Sequence, residues 1–248
     1  MSYIIAQQSV LGTREEQQDC CFTQNASDRA FAIVCDGMGG LGYGSKASAM
    51  AVTKLVELMS TTQRDEPVPA FFLRAVDILD ECIVNLKDDR GEKCNAGTTI
   101  VTVVIDHDKL YWLSVGDSRL YILRESEIVR ATRDHNYFLS LKKMKQDAEI
   151  NTLQYNQEAK RGEALISFIG MGGVQIMDIN QTPFQLLPGD IILLTTDGLT
   201  KALKDEDILA ALHCGKPLDH ALAGLIEQAT KKATRSQDNT TCIAIQYT

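Results

Sequence analysis

Apolar residues recur along the chain in short runs rich in Val, Ile and Leu, and residues that favour turns flank most of these runs. This pattern is typical of β-strands. It predicts strands at residues 3–10, 31–35, 98–105, 110–115, 120–123, 191–196 and 241–247. The polar segments 106–109 and 116–119, each lying between two of these runs, have the composition of hairpin turns.

Four longer segments have apolar residues at helical spacing instead. They cover residues 45–59, 69–86, 205–213 and 218–233, and the polar connection 61–69 separates the first two. Helices therefore come in two pairs among many strands, rather than alternating with strands one by one. This order favours an α+β fold with mostly antiparallel sheets and helices packed outside. With 248 residues and no linker-like segment, the sequence predicts a single domain at residues 1–248.

Residues 136–162 differ from their surroundings, because they are polar, rich in Lys, Gln and Asn, and only weakly periodic. Two interpretations stay open. The segment is either a surface excursion with a helix or two, or a flap that faces a substrate, since insertions beside a site often carry specificity.

Charge and cysteine content narrow the function classes. The chain has 25 basic and 33 acidic residues, a net charge of −8, which is poorly suited to binding nucleic acid or anionic membranes, so we expect neither as a partner. No apolar run is long enough to span a bilayer, and the first residues lack the basic start and apolar core of a signal peptide. The seven cysteines form no Cys-x-x-Cys pair, which predicts reduced thiols, a cytoplasmic location and no zinc site.

Aspartates stand at or beside the ends of several strand-like runs: Asp19, Asp36, Asp117, Asp197 and Asp238. Taken singly, an Asp-Gly pair after a strand is usually a turn. Taken together, these carboxylates could converge on one rim of a sheet, where they repel one another unless they are protonated or share cations. Oxygen ligands suit Mg²⁺ or Mn²⁺ rather than zinc. The glycine after Asp36 would also let a backbone carbonyl approach such a cation.

Seven short motifs follow one another along the chain. They are REEQQD at residues 14–19, DGMGG at 36–40, AGTT at 96–99, VGDSR at 115–119, TRDH at 132–135, TDGL at 196–199 and DNTT at 238–241. In this order and at this spacing they resemble the protein phosphatase type 2C family, the metal-dependent PPM phosphatases, over essentially the whole chain. Met38, where animal relatives carry histidine, resembles the bacterial members.

The resemblance implies a four-layer α/β/β/α sandwich, in which helices flank two central antiparallel sheets. It also implies a binuclear Mn²⁺ or Mg²⁺ centre at one edge of the sandwich. By motif position, Asp36 should bridge the two cations, with the Gly37 carbonyl on one of them. Asp197 and Asp238 should bind the other cation, and Asp19 should act through a metal-bound water molecule.

The same resemblance implies an enzyme that removes phosphate from serine and threonine side chains of proteins. Arg14 should bind the phosphate through its planar guanidinium, and a water molecule that bridges the cations should attack phosphorus directly. Asp117 matches the ligand of a third, weaker cation. Lys201 stands where many relatives carry another aspartate near that third cation, so we expect two tightly bound cations and a weak third. His135 is a candidate proton donor, although a structural hydrogen bond is the commoner role of a buried polar group.

Two alternatives keep the same fold: a catalytically weak pseudophosphatase that senses phosphoproteins, and a regulatory phosphatase dedicated to one protein. The complete set of aspartates argues against the first, and the Arg14 motif argues against the second. We expect phosphorylated proteins as partners, a eukaryotic-like Ser/Thr kinase as counterpart and a monomeric enzyme. The kinase rests on analogy with the family alone.

Overall fold

Twelve strands build the centre of the computed structural model, which describes residues 2–26, 28–40, 43–61, 66–233 and 236–248. The strands are β1 (Tyr3–Val10), β2 (Asp19–Asn25), β3 (Arg29–Gly39), β4 (Ala96–Thr98), β5 (Ile100–Asp106), β6 (Lys109–Val115), β7 (Arg119–Arg124), β8 (Glu127–Arg130), β9 (Asp178–Ile179), β10 (Phe184–Gln185), β11 (Ile191–Thr195) and β12 (Thr240–Tyr247). One sheet has five strands in the order β1-β12-β11-β7-β8. The other has seven, in the order β10-β6-β5-β3-β2, with β4 paired to β3 and β9 paired to β6. Every strand pairing is antiparallel.

Seven α-helices, counted over the described residues, surround the sheets. They are α1 (Tyr43–Thr61), α2 (Val68–Val84), α3 (Tyr137–Gln146), α4 (Thr152–Glu158), α5 (Asp197–Thr200), α6 (Asp205–Leu212) and α7 (Leu218–Lys232). The four helices predicted from periodicity correspond to α1, α2, α6 and α7, with ends shifted by no more than two residues. The predicted polar connection between the first two lies partly outside the described residues, which omit 62–65.

The core lies in three layers. One layer packs α1 and α2 against the seven-stranded sheet, a second packs α6 and α7 against the five-stranded sheet, and the third fills the space between the sheets. Neighbouring residues of one strand therefore face different layers: Ile33 packs towards the helices, and Val34 packs between the sheets. Because both faces of the central strands are buried, their sequences are continuously apolar. The four-layer α/β/β/α sandwich and the α+β class predicted from the sequence are confirmed.

The segment at residues 116–119 is not a hairpin, contrary to the prediction. β6 lies in the seven-stranded sheet and β7 in the five-stranded sheet, so the segment carries the chain from one sheet to the other. The hairpin predicted at residues 106–109 does join paired strands, β5 and β6. Two short polar turns of similar composition thus have different roles, which the choice of pairing partner decides.

Residues 136–162 fold into α3, α4 and a short 3-10 turn at Ala159–Arg161. Leu141 anchors this segment in the interior, while most of α4 is exposed. An Asn151 side chain that accepts a hydrogen bond from the Gln154 backbone amide caps the start of α4. The prediction of a helix or two in this segment is confirmed.

Candidate active site

Asp19 and Asp36 lie directly opposite each other on the paired strands β2 and β3. Both lie where β3 passes from its pairing with β2 to its pairing with β4. Gly37 is required there, because a Cβ atom at this position would lie 2.1 Å from the carbonyl oxygen of Gly44 in α1. The close approach of α1 therefore fixes the backbone immediately after Asp36.

Asp197 and Asp238 come from the five-stranded sheet. Asp197 is the first residue of the one-turn helix α5, which follows β11, and Asp238 precedes β12. The two loops touch so closely that a Cβ atom at Gly198 would lie 2.1 Å from the carbonyl oxygen of Asn239. The glycine of the TDGL motif is thus a packing requirement as well as a turn residue.

Hydrogen bonds join these two sheet ends into one site. The Thr196 hydroxyl donates to Asp19 Oδ2 over 3.0 Å, and the Gln18 backbone amide donates to Asn239 Oδ1 over 2.8 Å. The predicted convergence of the aspartates on one rim of the sandwich is therefore what the structure shows. Sequence reasoning did not assign Thr196 or Asn239 to the site, although both lie inside motifs that it had singled out.

Asp117 reaches the same place through the connection between the sheets. The Thr99 hydroxyl accepts a hydrogen bond from the Asp36 backbone amide at 3.1 Å and shares another with the Ser118 hydroxyl at 2.7 Å. This buried chain of contacts ties the Asp117 loop to the strand that carries Asp36. Ser118 and Thr99 thus have structural roles.

The carboxylates are buried without enough partners. Asp19 Oδ1 and Asp197 Oδ1 are both buried and accept no hydrogen bond within the described part of the chain. Burial, reinforced by the charges of Asp197 and Asp238, raises the pKa of Asp19 to about 7. Burial and the charge of Asp197 do the same for Asp117, whose pKa is also about 7. The pKa of Asp36 is raised well above its usual range by burial first and by Asp19 next.

A cluster of aspartates with raised pKa values is stabilised by positive charge nearby. Its oxygen donors and two buried oxygens without hydrogen-bond partners fit a hard divalent cation such as Mn²⁺ or Mg²⁺. Within the described residues, however, no three acidic, histidine or cysteine side chains are arranged as a metal-binding group. Two basic side chains contact the carboxylates instead.

Those two basic side chains are Arg14 and Lys201. Arg14 Nη2 donates to Asp238 Oδ2 at 2.8 Å, with 58% of the arginine side chain exposed to the cleft. Lys201 Nζ contacts Asp197 Oδ2 directly and lies 3.8 Å from Asp238 Oδ2. The sequence predicted Lys201 near a third cation beside Asp117, but it contacts the pair of aspartates predicted to bind the second.

Asp36, Asp117, Asp197 and Asp238 line a cleft of about 1480 Å³, which the start of the 136–162 segment also borders. Asn136 and Phe138 line it, together with Glu163 and Leu165 just beyond the segment. The base of the segment thus faces the cleft, as the flap interpretation requires, while the exposed α4 fits the other interpretation.

His135 is fully buried and does not line this cleft. Its Nδ1 accepts a hydrogen bond from the Gly116 backbone amide at 3.1 Å, and its Nε2 lies 3.5 Å from Asp178 Oδ1. The histidine therefore holds the loop that carries Asp117, and the structural role favoured by the sequence is the one observed.

All seven cysteines are free thiols, and no cysteine is among the described residues that line the cleft. Within the same part of the chain, no helix combines the length and the apolar character needed to cross a bilayer.

Known proteins share this sequence pattern and fold. A family model described as protein phosphatase 2C matches residues 7–236. The serine/threonine phosphatase stp of Listeria monocytogenes serotype 4b (strain F2365) is 25% identical over 226 residues, which cover 90% of this chain and 86% of that relative. The structure of the S. agalactiae serine/threonine phosphatase superposes with a TM-score of 0.85 at 26% identity, covering 99% of this chain and 100% of that one.

The catalytic domain of the serine/threonine protein phosphatase PstP, solved in complex with two manganese ions, has the same fold. Its TM-score is 0.76 at 23% identity, and the match covers 99% of this chain and 98% of that one. The family model spans most of the chain and includes Asp19, Asp36, Asp117 and Asp197, while Asp238 lies two residues beyond its end. The chain therefore belongs to the protein phosphatase 2C family.

Proposed function

We propose that the chain is a Mn²⁺- or Mg²⁺-dependent protein phosphatase that hydrolyses phosphoserine and phosphothreonine in proteins, with the aspartate cleft as its active site. One observation carries the proposal. Buried and partly buried carboxylates from both sheets converge beside an exposed arginine, and two of their buried oxygens have no hydrogen-bond partner among the described residues. The names of the Listeria and S. agalactiae relatives support the serine/threonine class of substrate.

The proposed cation ligands divide by sheet. Asp36 and the Gly37 carbonyl belong to one side, with Asp19 acting through water, and Asp197 and Asp238 belong to the other. The two manganese ions in the PstP complex support a site of two cations. When bound, such cations neutralise the substrate phosphate and lower the pKa of a water molecule enough for it to attack phosphorus at neutral pH. Asp117 is the proposed ligand of a third, weaker cation.

Arg14 is placed to bind the phosphate. Only its Nη2 is used by Asp238, so the remaining guanidinium N–H groups stay available to a phosphate that enters the cleft. A bidentate contact with two phosphate oxygens would fix the orientation of the ester bond that is to break. Asp238 would hold the guanidinium in position from the other side.

The charges also explain why a cation is needed before substrate can bind. A phosphate dianion entering the cleft would meet Asp36, Asp197 and Asp238 within a partly buried space, where repulsion between like charges is stronger than in water. Arg14 alone cannot offset that repulsion. Without cations, the folded protein is therefore expected to bind a phosphopeptide poorly.

The pseudophosphatase alternative predicts binding without turnover. The test is release of inorganic phosphate from a phosphothreonine peptide by metal-stripped protein, with and without added Mn²⁺ or Mg²⁺, and with a chelator. We expect turnover only with metal, reversible on adding chelator and then excess metal. Peptide binding without phosphate release under every metal condition would identify a phosphoprotein sensor instead.

An opposing eukaryotic-like Ser/Thr kinase and dedication to one phosphoprotein also remain proposals. Comparing phosphopeptides in cells with and without the phosphatase gene tests both. A broad set of accumulating phosphopeptides would indicate a general phosphatase, and a single accumulating phosphoprotein would indicate a dedicated one.

A further inference from the structure

Lys201 is held among the carboxylates by the geometry of α5. Asp197 opens this one-turn helix and Lys201 follows four residues later, a spacing that places both side chains on the same face. The Lys201 backbone amide donates to the Asp197 carbonyl at 2.8 Å, which fixes the turn itself. The ammonium group then lies against Asp197 Oδ2 and 3.8 Å from Asp238 Oδ2.

The contact differs from an ordinary surface ion pair. The Asp197 side chain is only 15% exposed, whereas the similarly spaced pair Lys231–Glu227 on α7 is 71% and 66% exposed. A partly buried ion pair is screened less by solvent, so its electrostatic effect is larger. The lysine stem is nevertheless half-exposed, so the ammonium can swing out into the cleft.

We propose that Lys201 is a built-in cation of this site, whose ammonium occupies the position between Asp197 and Asp238 that a second divalent cation would take. This inference rests on the proposed metal-binding roles of these two aspartates. Lys201 thereby stabilises the metal-free protein, and binding of the second cation must displace it.

The proposal changes the expected binding order. The first cation binds on the side of Asp36 and Gly37, where no basic side chain contacts the carboxylate within the described residues. The second binds more weakly, because a divalent ion within a few ångströms of an ammonium group is repelled by it. The sequence predicted two tightly bound cations, whereas this proposal predicts two cations that bind with unequal affinity.

The test measures binding rather than turnover. Metal-stripped protein is titrated with Mn²⁺ by calorimetry, and its thermal unfolding is followed in chelator and in Mn²⁺. The variant is Lys201→Met, which keeps the length of the side chain and removes its charge. The control is Lys231→Met, the same substitution in an exposed pair of the same spacing.

We expect Lys201→Met to tighten the weaker Mn²⁺ site by at least about tenfold, since it removes repulsion at short range. In chelator, the same variant should melt at a lower temperature than the parent. Its melting temperature should also rise more on addition of Mn²⁺, because tighter binding to the folded state stabilises that state further. Lys231→Met should change neither the binding constants nor the gain in melting temperature.

Metal-free Lys201→Met is at risk of unfolding, because its carboxylates lose their counter-ion. The same constants are therefore also obtained from Mn²⁺-loaded protein by competition with a fluorescent chelator. An unchanged affinity of the second site in Lys201→Met, with Mn²⁺-dependent turnover intact, would overturn the role of Lys201 alone. Absence of Mn²⁺ binding in both parent and variant would overturn the proposed metal-dependent function as well.

Discussion

Asp190 and Asp19 are both buried aspartates in the same sandwich, but their surroundings are opposite. Asp190 is 2% exposed, and both its oxygens are satisfied, by Arg124 at 2.8 and 2.6 Å and by the Leu187 amide at 2.9 Å. Asp19 is 8% exposed, and one of its oxygens has no partner among the described residues. Burial alone therefore does not separate a structural carboxylate from one that we propose acts at the metal site.

The difference lies in what each carboxylate still requires. A satisfied buried pair holds two parts of the chain in place, as Asp190 holds Arg124. An unsatisfied buried oxygen costs stability unless something outside the chain supplies its partner. The cleft aspartates show that cost, and we propose that the cation repays it.

Asp36→Asn should lower kcat by at least about a hundredfold, because it removes a proposed direct metal ligand. Losing such a ligand should reduce activity more than losing a side chain that only supports a ligand. Asp190→Asn should leave kcat of the Mn²⁺-loaded enzyme nearly unchanged. Steady-state assays with a phosphothreonine peptide, together with circular dichroism to verify folding, measure both. Equal losses in the two variants would show that the contrast does not separate functional from structural aspartates.

For the free energy of unfolding, we expect the structural aspartate Asp190 to matter more than the cleft aspartate Asp19. Asp190→Asn should lower the free energy of unfolding by about 1–3 kcal/mol, because Arg124 loses a charged partner. Asp19→Asn should leave the metal-free protein equally stable or more stable, since it removes a buried charge that lacks partners. Urea unfolding of metal-stripped protein compares the two. A destabilisation of Asp19→Asn as large as that of Asp190→Asn would argue that Asp19 is satisfied without metal.

Arg14→Ala should raise KM for a phosphopeptide by about tenfold, the effect of losing a charge-assisted hydrogen bond to the phosphate. The effect on kcat should be smaller unless the contact strengthens in the transition state. Arg124→Ala serves as the matched arginine outside the cleft and should leave KM unchanged. If KM is also unchanged in Arg14→Ala, then Arg14 is not the phosphate ligand.

The stability of the metal-free protein should depend on pH through the cleft. The pKa of Asp19 is about 7 in the folded state and 3.8 in a model compound, so between these values the folded state holds a proton that the unfolded chain releases. The stability from this group is complete below about pH 4 and is lost as pH rises towards 7. Unfolding free energies at pH 5 and pH 7 should therefore differ less in Asp19→Asn than in the parent.

The pKa of Asp178 is shifted in the opposite direction to that of Asp19. Burial would raise its pKa, but its contacts with His135 and Arg133 hold the pKa below the usual range. Its contribution to stability is therefore present at neutral pH and lost on acidification.

The contrary outcome is that the parent protein and the Asp19→Asn variant lose the same unfolding free energy between pH 5 and pH 7. That result would show that Asp19 is already ionised in this range.

The smallest expected effect is a change in KM on substitution of Glu163, in the wall of the cleft. Glu163 is exposed, lines the cleft and makes no hydrogen bond or ion pair with a described residue. Glu163→Gln should raise KM by up to about fivefold for phosphopeptides with a neighbouring basic residue, the size of an exposed charge pair. Glu149→Gln, in the 136–162 segment and away from the cleft, is the control. Equal KM values in all three proteins would remove the substrate-facing interpretation of this acidic position.

The sequence predicted the layers well because their signal is local. Continuous apolar runs such as 191–196 are those of strands buried on both faces, and β11 and β12 were found within one residue at each end. The two-residue strands β9 and β10 left no such signal. The sheet change at residues 116–119 could not be predicted, because pairing partners far apart in sequence decide it.

The aspartates of the site were identified from motif resemblance, and their convergence on one rim is observed. Their roles as metal ligands stay predictions. The contacts of Lys201 with Asp197 and Asp238 were not predicted, because they depend on α5, a single turn too short to show periodicity. A signal was nevertheless present, since Asp197 and Lys201 are four residues apart, the spacing at which helical side chains meet.

The pairing of β1 with β12 also determines when a newly made chain can acquire its activity. Arg14 and Gln18 are synthesised early, but their hydrogen-bond partners Asp238 and Asn239 and the strand that follows them are synthesised late. Until β12 leaves the ribosome, β1 has no neighbour in its sheet, and the rim lacks one of its carboxylates. Because domains fold as units during synthesis, an unfinished chain holds no complete site, and dephosphorylation has to wait for the sandwich to close.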